Sequence, residues 1–225
     1  MIHIIRHKDY DFPIPTGYVT CEVGPLFKES PREFSYIERS NVNKLNPIIN
    51  ELTGVIDVAF NFDDPVVGFC HYHRFFTMDD KILDYNQLKE FVFPYGDYDF
   101  VLAQHVTYPD MTIRQSLERD FREDLPTFNK YMDMFYKAEP GLREYFDGNT
   151  FHPRNMFVCN RNKLYMYTNF IYGIVIPIAE RFKEEDFNKY HHYYSRMIGF
   201  IAERLLTYVV LKYDLKYTEL PYNEF

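Results

Sequence analysis

The segment Val66-Val67-Gly68-Phe69-Cys70-His71-Tyr72-His73-Arg74-Phe75-Phe76 decides how the rest of the chain is read. Its opening run is apolar throughout, as expected of a strand buried on both faces in a parallel sheet. Its far end opens into two histidines, a tyrosine and an arginine. In open α/β sheets ligands bind outside the carboxyl ends of the strands, so chemistry is expected at this end. If the strand continues, His71 and His73 share a face and offer two metal-ligating imidazoles. Two ligands are not a site, and a third donor would have to come from Asp79, Asp80 or His105. The other reading is a structural or phosphate-facing histidine pair. Arg74 is more informative, because a guanidinium matches phosphate oxygens and can neutralise a departing diphosphate.

Working outward, residues 2–5 (Ile-His-Ile-Ile) predict a first strand that delivers Arg6-His7-Lys8 into a loop over 9–17, where Pro13 and Pro15 forbid regular structure. His7, Lys8 and Arg74 then stand at strand ends, where they can converge on one phosphate-bearing ligand. Asn46-Pro47 reads as a helix start, with Asn as cap and Pro in the first turn. Apolar residues at 45, 48, 49, 52, 55, 56 and 59 give that helix one buried face. Asn43, Asn46, Glu51 and Thr53 gather about its first turns. Glu51 either complements the helix dipole or, with the asparagines, faces a ligand's hydroxyls.

Asp79-Asp80 is expected to cap a short helix over 85–91. Residues 98–103 predict a strand from whose end Gln104 and His105 emerge. The pattern from 112 to 136 is helical in two pieces joined at Pro126, and 138–149 reads as a loop. A strand over 155–159 follows His152-Pro153-Arg154. Residues 163–182 form an apolar helix weakened by Gly173 and Pro177, and 186–212 read as the longest helix, carrying Glu203 and Arg204 as a core-edge ion pair. Strands alternating with helices, then a helical final third, predict a single α/β domain with a helical C-terminal extension.

The composition narrows the function. Of 225 residues 46% are apolar and 26% charged, ordinary values for one or two globular domains. There are 21 Tyr and 22 Phe but no Trp, which predicts a ring-rich core. A net charge of -8 without a Lys/Arg stripe argues against a generic nucleic-acid binder. Cys21, Cys70 and Cys159 lack C-x-x-C spacing and read as buried thiols in a reducing compartment. The N-terminal run is too soon charged for a signal peptide, and no stretch approaches the roughly 20 apolar residues of a membrane span. A cytoplasmic location is the default, with peripheral membrane contact open. The glycine-rich signatures of dinucleotide enzymes and P-loop NTPases are absent, as is the G-x-S-x-G nucleophile elbow.

Several blocks taken in order resemble the DUF4422 family of bacterial and phage proteins described as exopolysaccharide-biosynthesis glycosyltransferases. They are His7-Lys8, Asn41-Val42-Asn43-Lys44-Leu45-Asn46, Glu51-Leu52-Thr53-Gly54, 67–76, Tyr98-Asp99, Asn155-Met156-Phe157-Val158 and 196–206. Two departures stand out. The family usually carries H-Y-R-R where this chain has His71-Tyr72-His73-Arg74, and a Trp-rich helix where this chain has 55–61.

The resemblance implies a GT-A-like (Rossmann-like) nucleotide-sugar-binding domain over 1–225, with a donor half at 1–110 and an acceptor-side half at 111–225. It implies transfer of a hexosyl or similar unit from a nucleotide-diphosphate sugar to a hydroxyl. In many such enzymes an acidic D-x-D holds a metal against the diphosphate. Here that position is His71-Tyr72-His73-Arg74, so Arg74 and His73 would meet the leaving group, with His71 and Tyr72 beside them. No metal ligand is assigned, and a requirement for Mn or Mg is left open. His7 and Lys8 would hold the diphosphate, and Asn43, Asn46 and Glu51 the ribose or sugar hydroxyls. His152, Asn155, Glu203 and Arg204 fall to the acceptor side, with Glu203 or a histidine as base. The acceptor is expected to be a capsular or cell-surface glycan ahead of a modified DNA base. A non-catalytic nucleotide-sugar-binding module is the reading from a different class.

Overall fold

The structure, a computed structural model, describes residues 1–9, 11–28, 39–190 and 193–225. The chain begins with β1 (Ile2–Arg6) and β2 (Tyr18–Glu22), followed by helices α1 (Arg39–Asn43), α2 (Asn46–Ile49) and α3 (Leu52–Asn61). Next come β3 (Val66–His71), β4 (Arg74–Met78), β5 (Lys81–Ile82), α4 (Tyr85–Lys89), β6 (Phe100–Ala103) and β7 (Val106–Thr107). Helices α5 (Ile113–Asp120), α6 (Leu125–Ala138) and α7 (Leu142–Asp147) lead to β8 (Thr150–Phe151) and β9 (Phe157–Asn160). The long α8 (Arg161–Glu185), then α9 (Met197–Glu203) and α10 (Leu205–Lys212), precede β10 (Tyr217–Leu220) and β11 (Tyr222–Glu224).

The main sheet runs β10-β6-β9-β3-β1-β2. β3 is parallel to β1, as its apolar run predicted, but antiparallel to β9 on its other side. β9 is antiparallel to β6, and β10 is parallel to β6, so β1, β3, β6 and β10 all end at one edge. Alternation along each strand splits the core in two. Ile5, Val67, Phe69, Phe100, Leu102, Phe157 and Cys159 face the larger cluster, which takes in the helices up to α10. Ile2, Ile4, Val66, Cys70, Val101 and Val158 face a smaller cluster with Phe75, Phe76 and Leu88 of α4. The C-terminal helices therefore form a layer on the sheet, sharing one apolar core with the first strands. The three cysteines are free and buried, and burial pushes their thiols up. Among the described residues no helix is long and apolar enough to cross a membrane.

Several elements differ from the sequence reading. The strand of the opening segment ends at His71, and Tyr72-His73 turn the chain back so that Arg74 pairs with His71. The helix expected from Asn46 breaks at Asn50, whose φ is 55°, and Asn46 is not its cap: its amide donates to Asn50 O and Thr53 Oγ1, each at 3.0 Å. Asp79 and Asp80 cap nothing. Both have positive φ and form the tight turn between β4 and β5, a conformation that Asp tolerates, while Asp84 makes the capping box of α4 with Gln87.

The loop over 138–149 contains α7. Helix α8 runs through both Gly173 and Pro177, which are exposed, so the carbonyl that loses its partner at Pro177 can bond to water. The expected helix over 186–212 is instead 3-10 turns at Phe187–Lys189 and Tyr194–Arg196 followed by α9 and α10; residues 191 and 192 of that expectation lie outside the described residues, as does residue 10 of the 9–17 loop. Asp186 halts α8 by taking Lys130 Nζ and Tyr131 OH, each at 2.6 Å. Strands β2, β10 and β11 and the short β5, β7 and β8 have no counterpart in the sequence reading.

Candidate functional site

A cavity of about 500 Å³ opens beyond the carboxyl ends of β1 and β3. Ile5, His7 and Val23 form one wall; Asn46, Pro47, Asn50 and Glu51 form a second; His71, Tyr72, His73 and Arg74 form a third, and Arg196 closes the rim. The β3–β4 turn places four consecutive polar side chains there because a two-residue reversal sends the chain straight back along the sheet edge. The α2–α3 break does the same for Asn50 and Glu51. Asn50 O accepts from Asn46 Nδ2 and from Thr53 Oγ1, at 3.0 and 2.8 Å, which holds that corner.

The third wall is cationic and tied down. His71 Nε2 donates to Arg154 O at 2.7 Å, since a carbonyl only accepts, and Arg74 Nη1 lies 3.5 Å from His71 Nδ1. Arg74 Nη2 donates to Glu224 Oε1 at 3.0 Å, and His73 Nε2 meets the same oxygen at 3.0 Å. Register brings Glu224 there: β11 pairs with β4 so that Glu224 lies opposite Arg74. The Arg74 Nε is buried without a hydrogen-bond partner. Burial first, then the charge of Arg74, holds the His73 imidazole below its ordinary range, with Glu224 opposing. His7 is lowered by burial and then by Lys8, Arg196 and His71. The cavity thus sets the Arg74 and Arg196 guanidiniums beside the His7 and His73 imidazoles, which are held toward the neutral form, with Glu51 and the Arg74 partner Glu224 as counter-charges. His71 and His73 are not a chelating pair: their rings stand perpendicular, 6.4 Å apart, each turned to a different partner.

The remaining sequence candidates separate into two groups. Lys8 extends over the Tyr72 ring, 5.2 Å from its centroid, beside the cavity. Asn43 is consumed by backbone, accepting from Gly24 N at 2.7 Å and donating to Gly24 O at 3.3 Å. Asn155 is buried between Glu51 Oε1 and Tyr167 OH, at 3.1 and 3.2 Å, and braces the cavity wall from behind. Glu203 accepts the backbone N–H of Arg154, which with Asn155 has positive φ, so its carboxylate holds a strained turn. Arg204 is buried, bonded to Glu203 and Phe200 O, with its guanidinium 4.5 Å from the Phe151 ring centroid. His152 bonds to Thr207 and Glu219, away from the cavity.

Three polar site residues, Asn50, Glu224 and Arg196, escaped the sequence reading. Glu224 had no local signal. Arg196 heads the block 196–206, and its Nε donates to Asn50 Oδ1 at 2.6 Å. The close approach of α9 that delivers it needs Gly199, where a Cβ would sit 2.3 Å from Asn50 Nδ2 and 2.8 Å from Ile48 O.

A D-x-D-type metal does not fit this wall. A hard divalent ion asks for several oxygen donors. Among the described residues the lining offers one carboxylate, that of Glu51, already shared with Asn155 and 4.0 Å from His71 Nε2, and sets the Arg74 guanidinium nearby.

The fold is GT-A-like. A solved structure described as the WbbM bifunctional glycosyltransferase, in its apo form, superposes with a TM-score of 0.69 at 20% identity, over 99% of this chain. This chain spans 45% of that one. No curated protein matches the chain. The family model for DUF4422, a domain of unknown function, matches residues 1–214, and the chain belongs to that family.

Proposed function

We propose that the protein is a glycosyltransferase that moves a sugar from a nucleoside-diphosphate donor to an acceptor hydroxyl. One observation carries the reading: a cavity at the carboxyl ends of two parallel strands gathers Arg74, Arg196 and His7, and among its described lining residues Glu51 is the only carboxylate. A diphosphate would give the two guanidiniums phosphate oxygens to bind and draw His7 toward its charged form, and in a partly closed cavity their effect on a leaving group exceeds what water provides. Arg74 meets the departing diphosphate, with His73 beside it, and exchanges Glu224 for phosphate oxygens as the donor enters. His71 is the brace that orients Arg74, while Tyr72 and Lys8 form the outer lip. Asn46 and Glu51 face the sugar or ribose hydroxyls. No step is routed through a metal ion.

The donor thus lies against the N-terminal half, residues 1–110, and the acceptor approaches past Arg196 from the half at 111–225. The acceptor hydroxyl belongs to a glycan rather than to DNA, given the net charge of -8, and the reaction belongs to surface-polysaccharide assembly in the cytoplasm.

Calorimetry of the full chain against UDP-, GDP- and TDP-sugars, each with and without chelator, tests the proposal. Saturable binding of one donor class that survives chelator and weakens about 10- to 100-fold in Arg74→Ala is expected. Binding of none removes the proposal, and strict dependence on Mn²⁺ overturns its metal-free form.

A further inference from the structure

His105, His152 and Glu219 meet at the same sheet edge as the cavity, on the β6–β10 side, and none of them lines it. His105 stands two residues beyond the end of β6, His152 follows β8, and Glu219 lies in β10, opposite Leu102 of β6. His105 Nδ1 is 2.7 and 2.9 Å from the two Glu219 oxygens, and His152 Nε2 is 3.0 Å from Glu219 Oε1. One ligand atom from each residue lies within 4.8 Å of the other two, and among the described residues this is the one group of three such side chains that does so.

We propose that His105 Nδ1, His152 Nε2 and the Glu219 carboxylate form a binding site for a divalent transition-metal ion of the zinc class, with a fourth position open to water. Two imidazoles and a carboxylate are a donor set that zinc accepts. Bonds of about 2.0–2.1 Å in a tetrahedron set ligand atoms about 3.4 Å apart, inside the span already present here.

The second nitrogen of each ring supports the assignment. In the hydrogen-bonded arrangement both histidines donate to Glu219, because a carboxylate only accepts. An ion taking those nitrogens requires each ring to carry its proton on the other nitrogen. His152 Nδ1 lies 3.0 Å from Thr207 Oγ1, which also accepts the backbone N–H of His152 at 2.8 Å. The His105 side chain is 44% exposed, so its free nitrogen meets water. Both rings therefore have an outlet for the displaced proton, and His152 has the outer hydrogen bond that usually orients a metal-binding histidine. Bound metal would pin the end of β6, the residue after β8 and β10 to one another.

The inference stands apart from the glycosyl-transfer reading, and its test needs neither donor nor acceptor. Chelator-stripped full-length protein is titrated with Co²⁺, followed by its visible absorption, and then with Zn²⁺ in competition. One equivalent of tetrahedral Co²⁺ displaced by Zn²⁺ is expected. His105→Ala, at an exposed position, and Glu219→Gln, in a strand held by its backbone ladder, should each weaken Zn²⁺ binding at least about 10-fold with unchanged circular dichroism. Absence of saturable binding, or equal affinity in the wild type and His105→Ala, overturns the proposal and leaves a hydrogen-bonded His–Glu–His cluster.

Discussion

Arg74 is held by what surrounds it before any ligand arrives. One nitrogen bonds to Glu224, another approaches His71, and the Nε is buried without a partner. Truncating it removes charge-assisted hydrogen bonds worth about 1.5–3 kcal/mol. Arg74→Ala should therefore weaken nucleotide-sugar binding by about 10- to 100-fold in calorimetry, and Arg74→Lys should recover only part of it, because an ammonium lacks the planar fork. His7 gives a second prediction. Burial and neighbouring cations hold its pKa below 6.5, so it is mostly neutral at pH 7. A bound diphosphate favours the charged form, so donor affinity should rise as pH falls from 7 toward 5.5, with proton uptake on binding. In His7→Gln that extra pH dependence should vanish; an unchanged slope would place the diphosphate elsewhere.

At the scale of elements, α8 carries two residues that usually end helices. Gly173 is exposed, and a Cβ there would meet nothing within 4 Å. Gly173→Ala should therefore stabilise the protein by about 0.5–1 kcal/mol, read as a higher midpoint in urea, since only the unfolded chain loses freedom. The contrast with Gly199 is instructive. There the missing Cβ is a contact distance: it lets α9 lie against α2 and bring Arg196 to Asn50. Two glycines in apolar helical surroundings thus have opposite tolerance, and only their neighbours tell them apart. The β3–β4 turn shows the same dependence on partners. Its alternation suits a continuing strand as well as a reversal, and pairing of β4 with β11 selects the reversal.

For the whole molecule, one buried histidine links pH to stability. His3 in β1 is 1% exposed, 3.6 Å from Asp64, and burial depresses its pKa against the pull of that carboxylate. The unfolded chain binds this proton near pH 6.5 and the folded chain only at lower pH. The contribution to stability is thus complete above about 6.5 and lost as pH falls through that value toward the depressed folded pKa. Denaturation midpoints should drop over this window in the wild type and drop less in His3→Gln. A stability curve unaffected by that substitution would show that His3 keeps its ordinary pKa in the fold.

Local physics explains what the sequence determined by itself. The segments 2–5, 66–76, 98–103 and 155–159 each contain a buried strand, and the helical pattern over 112–136 resolves into α5 and α6, with Pro126 in the first turn of α6 rather than at a kink, because these signals lie within a few residues of what they specify. The cationic segment ending at Arg74, with His7, Asn46 and Glu51, was legible for the same reason. Tertiary structure decided the rest. The parallel and antiparallel partners of β3 set which strand ends share an edge; β11 brought Glu224 to Arg74 across 150 residues, and the packing of α9 brought Arg196 to Asn50 across 146. It also withdrew Asn43, Glu203 and Arg204 into backbone and core bonds, and gathered His105, His152 and Glu219. Such contacts depend on which surfaces pack together, and nothing in the residues adjacent along the chain encodes that choice.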